Sequence, residues 1–137
     1  MNNVLLIVLI CILTSCQDKG PGTIRNSVEI VNKIGKEYNL TYEKKVLDDG
    51  TKWYQALLAE NLADSLEAKI MTSIVKELKM FPVKTVENQF EETEKYSYLM
   101  NTYVWRTPKM KLEMRYTQDM TKTVKSKYFI TFMVSPK

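Results

Sequence analysis

The hydrophobic pattern divides the chain into an apolar leader, two amphipathic helical stretches and a series of alternating strands. Ten consecutive apolar residues run from Val4 to Leu13 and give way to Thr14, Ser15 and Cys16. Such a run is too short to span a bilayer, which takes about 20 apolar residues in a helix. It has the length of the hydrophobic region of an export signal, with small residues following at a cleavage point. Residues 16–23, from Cys16 through the Gly20-Pro21-Gly22 stretch to Thr23, are mostly polar and rich in Gly and Pro. That composition predicts a flexible tether between the leader and a folded domain.

From Ile24 onward the periods change. Ile24, Val28, Val31, Ile34 and Tyr38 recur at intervals of three and four, which predicts one helix with a single apolar stripe. Gly35 weakens its last turn by up to about 1 kcal/mol relative to Ala. Asp48-Asp49-Gly50 separates two runs, 40–47 and 51–58, and reads as the turn of a hairpin. In the second run Trp53, Gln55 and Leu57 share one face, and Tyr54, Ala56 and Leu58 the other. A second helix is predicted over 61–79, where Leu62, Leu66, Ile70, Ile74 and Leu78 repeat every four residues. Asn61 suits its N-cap, and Phe81-Pro82 stops it.

Residues 83–94 show no clear period, and Glu91-Glu92-Thr93-Glu94 reads as a solvated loop. Three strands are predicted beyond it, over 95–106, 110–116 and 128–134, with a polar loop over 118–125. In the middle strand Met110, Leu112, Met114 and Tyr116 alternate with Lys111, Glu113 and Arg115, so one side is buried and the other wet. The order α-β-β-α-β-β-β predicts an α+β fold over residues 24–137. It is a single domain with an antiparallel sheet of about five strands and its helices packed on one face.

Composition narrows the chemistry. The chain carries 20 basic and 16 acidic residues, a formal charge of +4. Its lysines are interspersed with glutamates, which describes a solvated surface and gives no indication of a nucleic-acid partner. There is no histidine, which removes the commonest metal ligand and general base at neutral pH. The two cysteines are Cys11, inside the apolar run, and Cys16 at its end.

Leu13-Thr14-Ser15-Cys16 resembles the lipobox of bacterial lipoproteins. The resemblance implies that residues 1–15 are a signal peptide, cut before Cys16, and that Cys16 then carries a covalent lipid on its sulfur. Leu13, Thr14 and Ser15 form the cleavage site, and no other cofactor and no metal is implied. Cys16 would be the sole cysteine left, so no internal disulfide forms. The absence of Lys or Arg ahead of the apolar run departs from the usual pattern. By the same resemblance, Gln17 in place of the Asp that retains lipoproteins at the inner membrane points to the outer membrane. The membrane, through the anchor, is then the first partner, facing the periplasm or the surface.

Catalytic patterns are weak. Ser73-Ile74-Val75-Lys76 has the Ser-x-x-Lys spacing of penicillin-binding enzymes, but Lys84-Thr85-Val86 and Lys122-Thr123-Val124 lack the Gly of their second element. Asp48-Asp49 and Glu91-Glu92 are adjacent carboxylates, as a glycoside hydrolase would need across a sugar bond, yet turns and acidic loops produce such pairs routinely. The candidate binding face is the aromatic strand 95–106, through Tyr103 and Trp105, rimmed by Lys109, Lys111 and Arg115. The competing expectation is that both of its faces are core. The function expected is therefore a membrane-anchored binding module for an envelope protein or glycan. An inhibitor or immunity-type protein against an envelope toxin or hydrolase is the alternative, and a small hydrolase is a further one.

Overall fold

The computed structural model describes residues 20, 22–59, 63–121 and 127–137. The leader, the Leu13–Cys16 motif and most of the tether lie outside them, as do Asn61, Lys122 and Lys125. Two helices, α1 (Ile24–Glu37) and α2 (Ala63–Leu78), accompany six strands. These are β1 (Glu43–Val46), β2 (Lys52–Leu58), β3 (Lys84–Glu92), β4 (Ser97–Arg106), β5 (Met110–Asp119) and β6 (Lys127–Pro136). All neighbours are antiparallel, in the order β1-β2-β6-β5-β4-β3. The chain is thus α+β, with a four-stranded meander whose last strand pairs with the N-terminal hairpin.

Thr23 caps α1, its side-chain oxygen accepting from the Asn26 N–H at 3.2 Å. The buried stripe of α1 is Ser27, Ile30, Val31, Ile34 and Gly35. Gly35 is where the ring of Tyr42 crosses the helix, and a Cβ there would stand 2.6 Å from the ring. That ring is held on its other sides by edge contacts with Tyr54 and Phe132, and by a hydrogen bond to the Val31 carbonyl. The glycine read from sequence as a weak point is therefore a packing requirement. In the β1–β2 turn Gly50 takes φ +80°, and the Asp49 carboxylate accepts from the Thr51 N–H at 2.9 Å.

Both helices lie on the same side of the sheet. Ile70, Ile74 and Leu78 of α2 and Ile30, Val31 and Ile34 of α1 join Tyr54, Ala56, Leu112, Met114, Ile130, Phe132 and Val134 in one buried core. The helices also touch each other, through the Tyr38 and Ser73 hydroxyls at 3.1 Å and the exposed Lys33–Glu77 ion pair.

The sheet has six strands where about five were expected. β3 was missed because it is an exposed edge without alternation. Its pairing with β4 shifts between Val86 and Gln89, and Asn88 sits in the left-handed region at φ +55° with its N–H on the Asn101 side chain. A bulge of this kind breaks the two-residue period that identifies a strand, and also blunts the edge against further pairing. Glu91 and Glu92 are strand residues, not loop. Gln118 and Asp119 likewise extend β5 into the expected loop, while β1 is shorter than expected, at four residues.

Candidate binding face

The aromatic strand does not present Tyr103 and Trp105 to solvent. Trp105 is 0% exposed and Tyr103 8%. They pair with Leu112 and Met114 of β5, whose side chains point at the helices. The Trp105 indole N–H donates to the Met80 carbonyl at 3.2 Å. The Tyr103 hydroxyl donates to the Glu67 carboxylate at 2.9 Å, beside the Asn101 amide. Burial, reinforced by that carboxylate, pushes the Tyr103 phenol far above its ordinary range. These two residues are core under α2, and the expectation of a binding site on them is corrected.

Lys111 and Arg115 emerge on the opposite side. Their register partners on β4 are Arg106 and Thr102, and on β6 Ser135 and Thr131. Strand alternation carries them away from the helices. Lys109 lies in the β4–β5 turn and is exposed. The five residues grouped from sequence therefore fall on two faces and a turn.

No described element covers that second face. Between Lys111 and Arg115 stands Glu113, 4% exposed, taking Lys111 Nζ at 2.6 Å on one oxygen and Arg115 Nε at 2.5 Å on the other. Burial by itself raises the Glu113 carboxyl, but the Lys111 hydrogen bond and the Arg115 charge outweigh it and hold the group below the usual carboxylate range. A carboxylate so buried on an uncovered sheet face means that longer neighbours fold over it. They leave a shallow depression of about 200 Å³ across β3–β5, lined by Lys84, Val86, Met100, Val104 and Arg106 around the Glu113 triad.

Across β2 and β6 the same face turns apolar. Trp53 pairs with Met133 and Leu57 with Phe129, on the side away from the helices, and Leu57 is 63% exposed. Between them Gln55 donates to the Thr131 hydroxyl at 3.1 Å. Lys45 of β1 places its ammonium 4.9 Å from the centre of the Trp53 ring. One surface thus offers an aromatic-aliphatic half and a charged half, joined by a polar row. Sequence alternation had grouped Trp53, Gln55 and Leu57 on one face; what it lacked was the pairing that decides which face meets the helices.

The sequence patterns for catalysis are dispersed. Ser73 faces Tyr38 between the helices, and Lys76 is exposed. Asp49 is engaged in its turn. Glu91, opposite Tyr98, lies on the open face and Glu92, opposite Ser97, on the helix face, so adjacent carboxylates diverge. Among the described residues no group of three potential metal-ligating side chains converges. No helix among them is long and apolar enough to cross a membrane. No protein-family model, curated protein or solved structure matches this chain.

Proposed function

We propose that this chain is an envelope lipoprotein, anchored by lipid on Cys16, whose domain is a binding module that engages a protein partner through the open sheet face. The observation carrying the binding reading is that face itself. It is uncovered by any described element and combines Trp53, Leu57 and Met133 with Arg115, Glu113 and Lys111. Trp and Arg are the residue types that dominate binding energy at protein interfaces, and a partly apolar centre with a charged margin is their usual setting. The diverging carboxylates favour binding over hydrolysis. The resemblance of Leu13–Cys16 to a lipobox supports the anchor.

Capture from envelope extract tests the binding face. Trp53→Ala and Leu57→Asp are expected to cut partner recovery at least tenfold, while thermal unfolding stays close to that of the unaltered chain. Equal recovery by both variants would remove the open face from the account. The anchor is tested separately by metabolic labelling with radioactive palmitate, which Cys16→Ala should abolish.

A further inference from the structure

Charge is segregated along the strand axis, and the tether enters at the basic end. The antiparallel register brings the β1–β2, α2–β3 and β4–β5 connections to the same end of the sheet. Lys52, Lys79, Lys84, Arg106 and Lys109 stand on or beside those connections, and none of them makes an ion pair among the described residues. Asp48 and Asp49 oppose them there. Arg25 is matched by Glu29, and Lys111 by Glu113. At the other end the balance reverses, with Glu37 and Asp119 at element termini and Glu91, Glu92 and Glu94 around the β3–β4 connection, while Glu43 lies in the mid-sheet row of Gln55 and Arg115 and is matched by Lys45. Lys36, Lys95 and Lys127 are the described cations at that end.

The start of the domain is fixed to the basic end. The Thr107 hydroxyl, in the β4–β5 turn beside Lys109, donates to the Gly22 carbonyl at 2.7 Å. Gly22 takes φ +76°, and a Cβ on it would stand 2.8 Å from the Thr107 methyl. Thr23 adds a hydrogen bond to the Gly20 carbonyl at 2.9 Å. The described chain begins at Gly20, close to the β4–β5 turn that carries Lys109.

We propose that this basic end is a membrane-apposed surface that binds anionic lipid headgroups. Its placement in the cell rests on the lipid reading of Cys16; its chemistry does not. Gly20 is four residue steps along the chain from Cys16, no more than about 14 Å when extended. That is under two Debye lengths at physiological salt, about 8 Å each, so the cations stay within electrostatic reach of a charged bilayer. The acidic end lies a strand length away, about 33 Å for ten residues, where it is screened from that surface. In this pose the strands stand roughly upright on the membrane and the open sheet face remains clear of it, available to a partner.

The test uses a chain starting at Gln17, which keeps every described residue and the whole core, and vesicles of phosphatidylcholine with or without phosphatidylglycerol. Binding should require phosphatidylglycerol and weaken as salt is raised. Lys84→Glu with Lys109→Glu should lower vesicle affinity roughly 20-fold or more, at about fivefold for each charge removed. Lys79→Gln with Lys109→Gln, which leaves the sheet untouched, should reproduce most of the loss if the first pair folds poorly. Lys95→Glu with Lys127→Glu at the acidic end should leave binding unchanged. Binding indifferent to phosphatidylglycerol, equal losses from both ends, or binding to a soluble polyanion such as heparin with none to vesicles would overturn the proposal. Failure of palmitate labelling on the full chain would remove the anchor alone and leave the vesicle result standing.

Discussion

The two tryptophans sit on opposite faces of one sheet, and their surroundings have little in common. Trp105 is fully enclosed, with Leu112 beside it and its N–H on a backbone carbonyl. Trp53 stands half-exposed, with Met133 beside it and a lysine ammonium over its ring. The strands that carry them have similar alternation, so the difference is made by the helices. α1 and α2 cover the face of Tyr54, Leu112 and Trp105, and nothing described covers the face of Trp53, Glu113 and Arg115. The helix-covered face holds the fold together, while the open face meets its own polar needs through pairs such as Glu113 with Lys111 and Arg115.

This contrast is broken most strongly by removing the buried tryptophan. Trp105→Ala deletes a fully buried indole and leaves a cavity, with an expected loss of about 3–5 kcal/mol in urea unfolding. A loss below about 1 kcal/mol would mean the covered face is not the core.

Glu113→Gln comes next. It leaves Lys111 and Arg115 without their shared carboxylate and should cost about 2 kcal/mol. Because the folded carboxyl titrates below its unfolded value, its stabilisation is complete above the unfolded pKa of about 4.3. It is lost as pH falls through the lower folded value. Stability of the unaltered chain should therefore drop across that acid range more steeply than that of Glu113→Gln. Parallel curves would show that the triad contributes nothing.

A smaller effect separates sequence from structure in sign. Helix propensity alone predicts that Gly35→Ala stabilises α1 by up to about 1 kcal/mol. The Tyr42 ring, pinned by Tyr54, Phe132 and Val31, predicts the reverse, a loss of about 1–2 kcal/mol from overpacking. Differential scanning calorimetry decides between the two signs.

Much of the fold was legible in the residue pattern. Both helices announced themselves through 3.6-residue periods, and the Asp48–Gly50 turn through its chemistry. β5 was legible through strict alternation. β3 was not, because a bulge at Asn88 and an exposed, polar edge erase the period. The site was harder. β4 has apolar or aromatic residues at both odd and even positions, so its own sequence cannot say which face the helices take. β5 held the missing information: Leu112 and Met114 face the helices, so whatever pairs with them is core and Lys111 and Arg115 point away. Long-range register, which no local pattern encodes, was needed to align Trp105 with Leu112.

Methionine oxidation followed by mass spectrometry tests the two-face account most directly, because both faces carry the probe. Met110 and Met114 are fully buried on the helix side, whereas Met100 and Met133 are partly exposed on the open side and Met120 is exposed beyond β5. Under mild peroxide, Met100, Met133 and Met120 should oxidise while Met110 and Met114 are spared. On the captured complex, Met100 and Met133 should become protected and Met120 should not. Rapid oxidation of Met110 and Met114, or a complex that leaves Met100 and Met133 as reactive as before, would contradict the assignment of one face to the core and the other to binding.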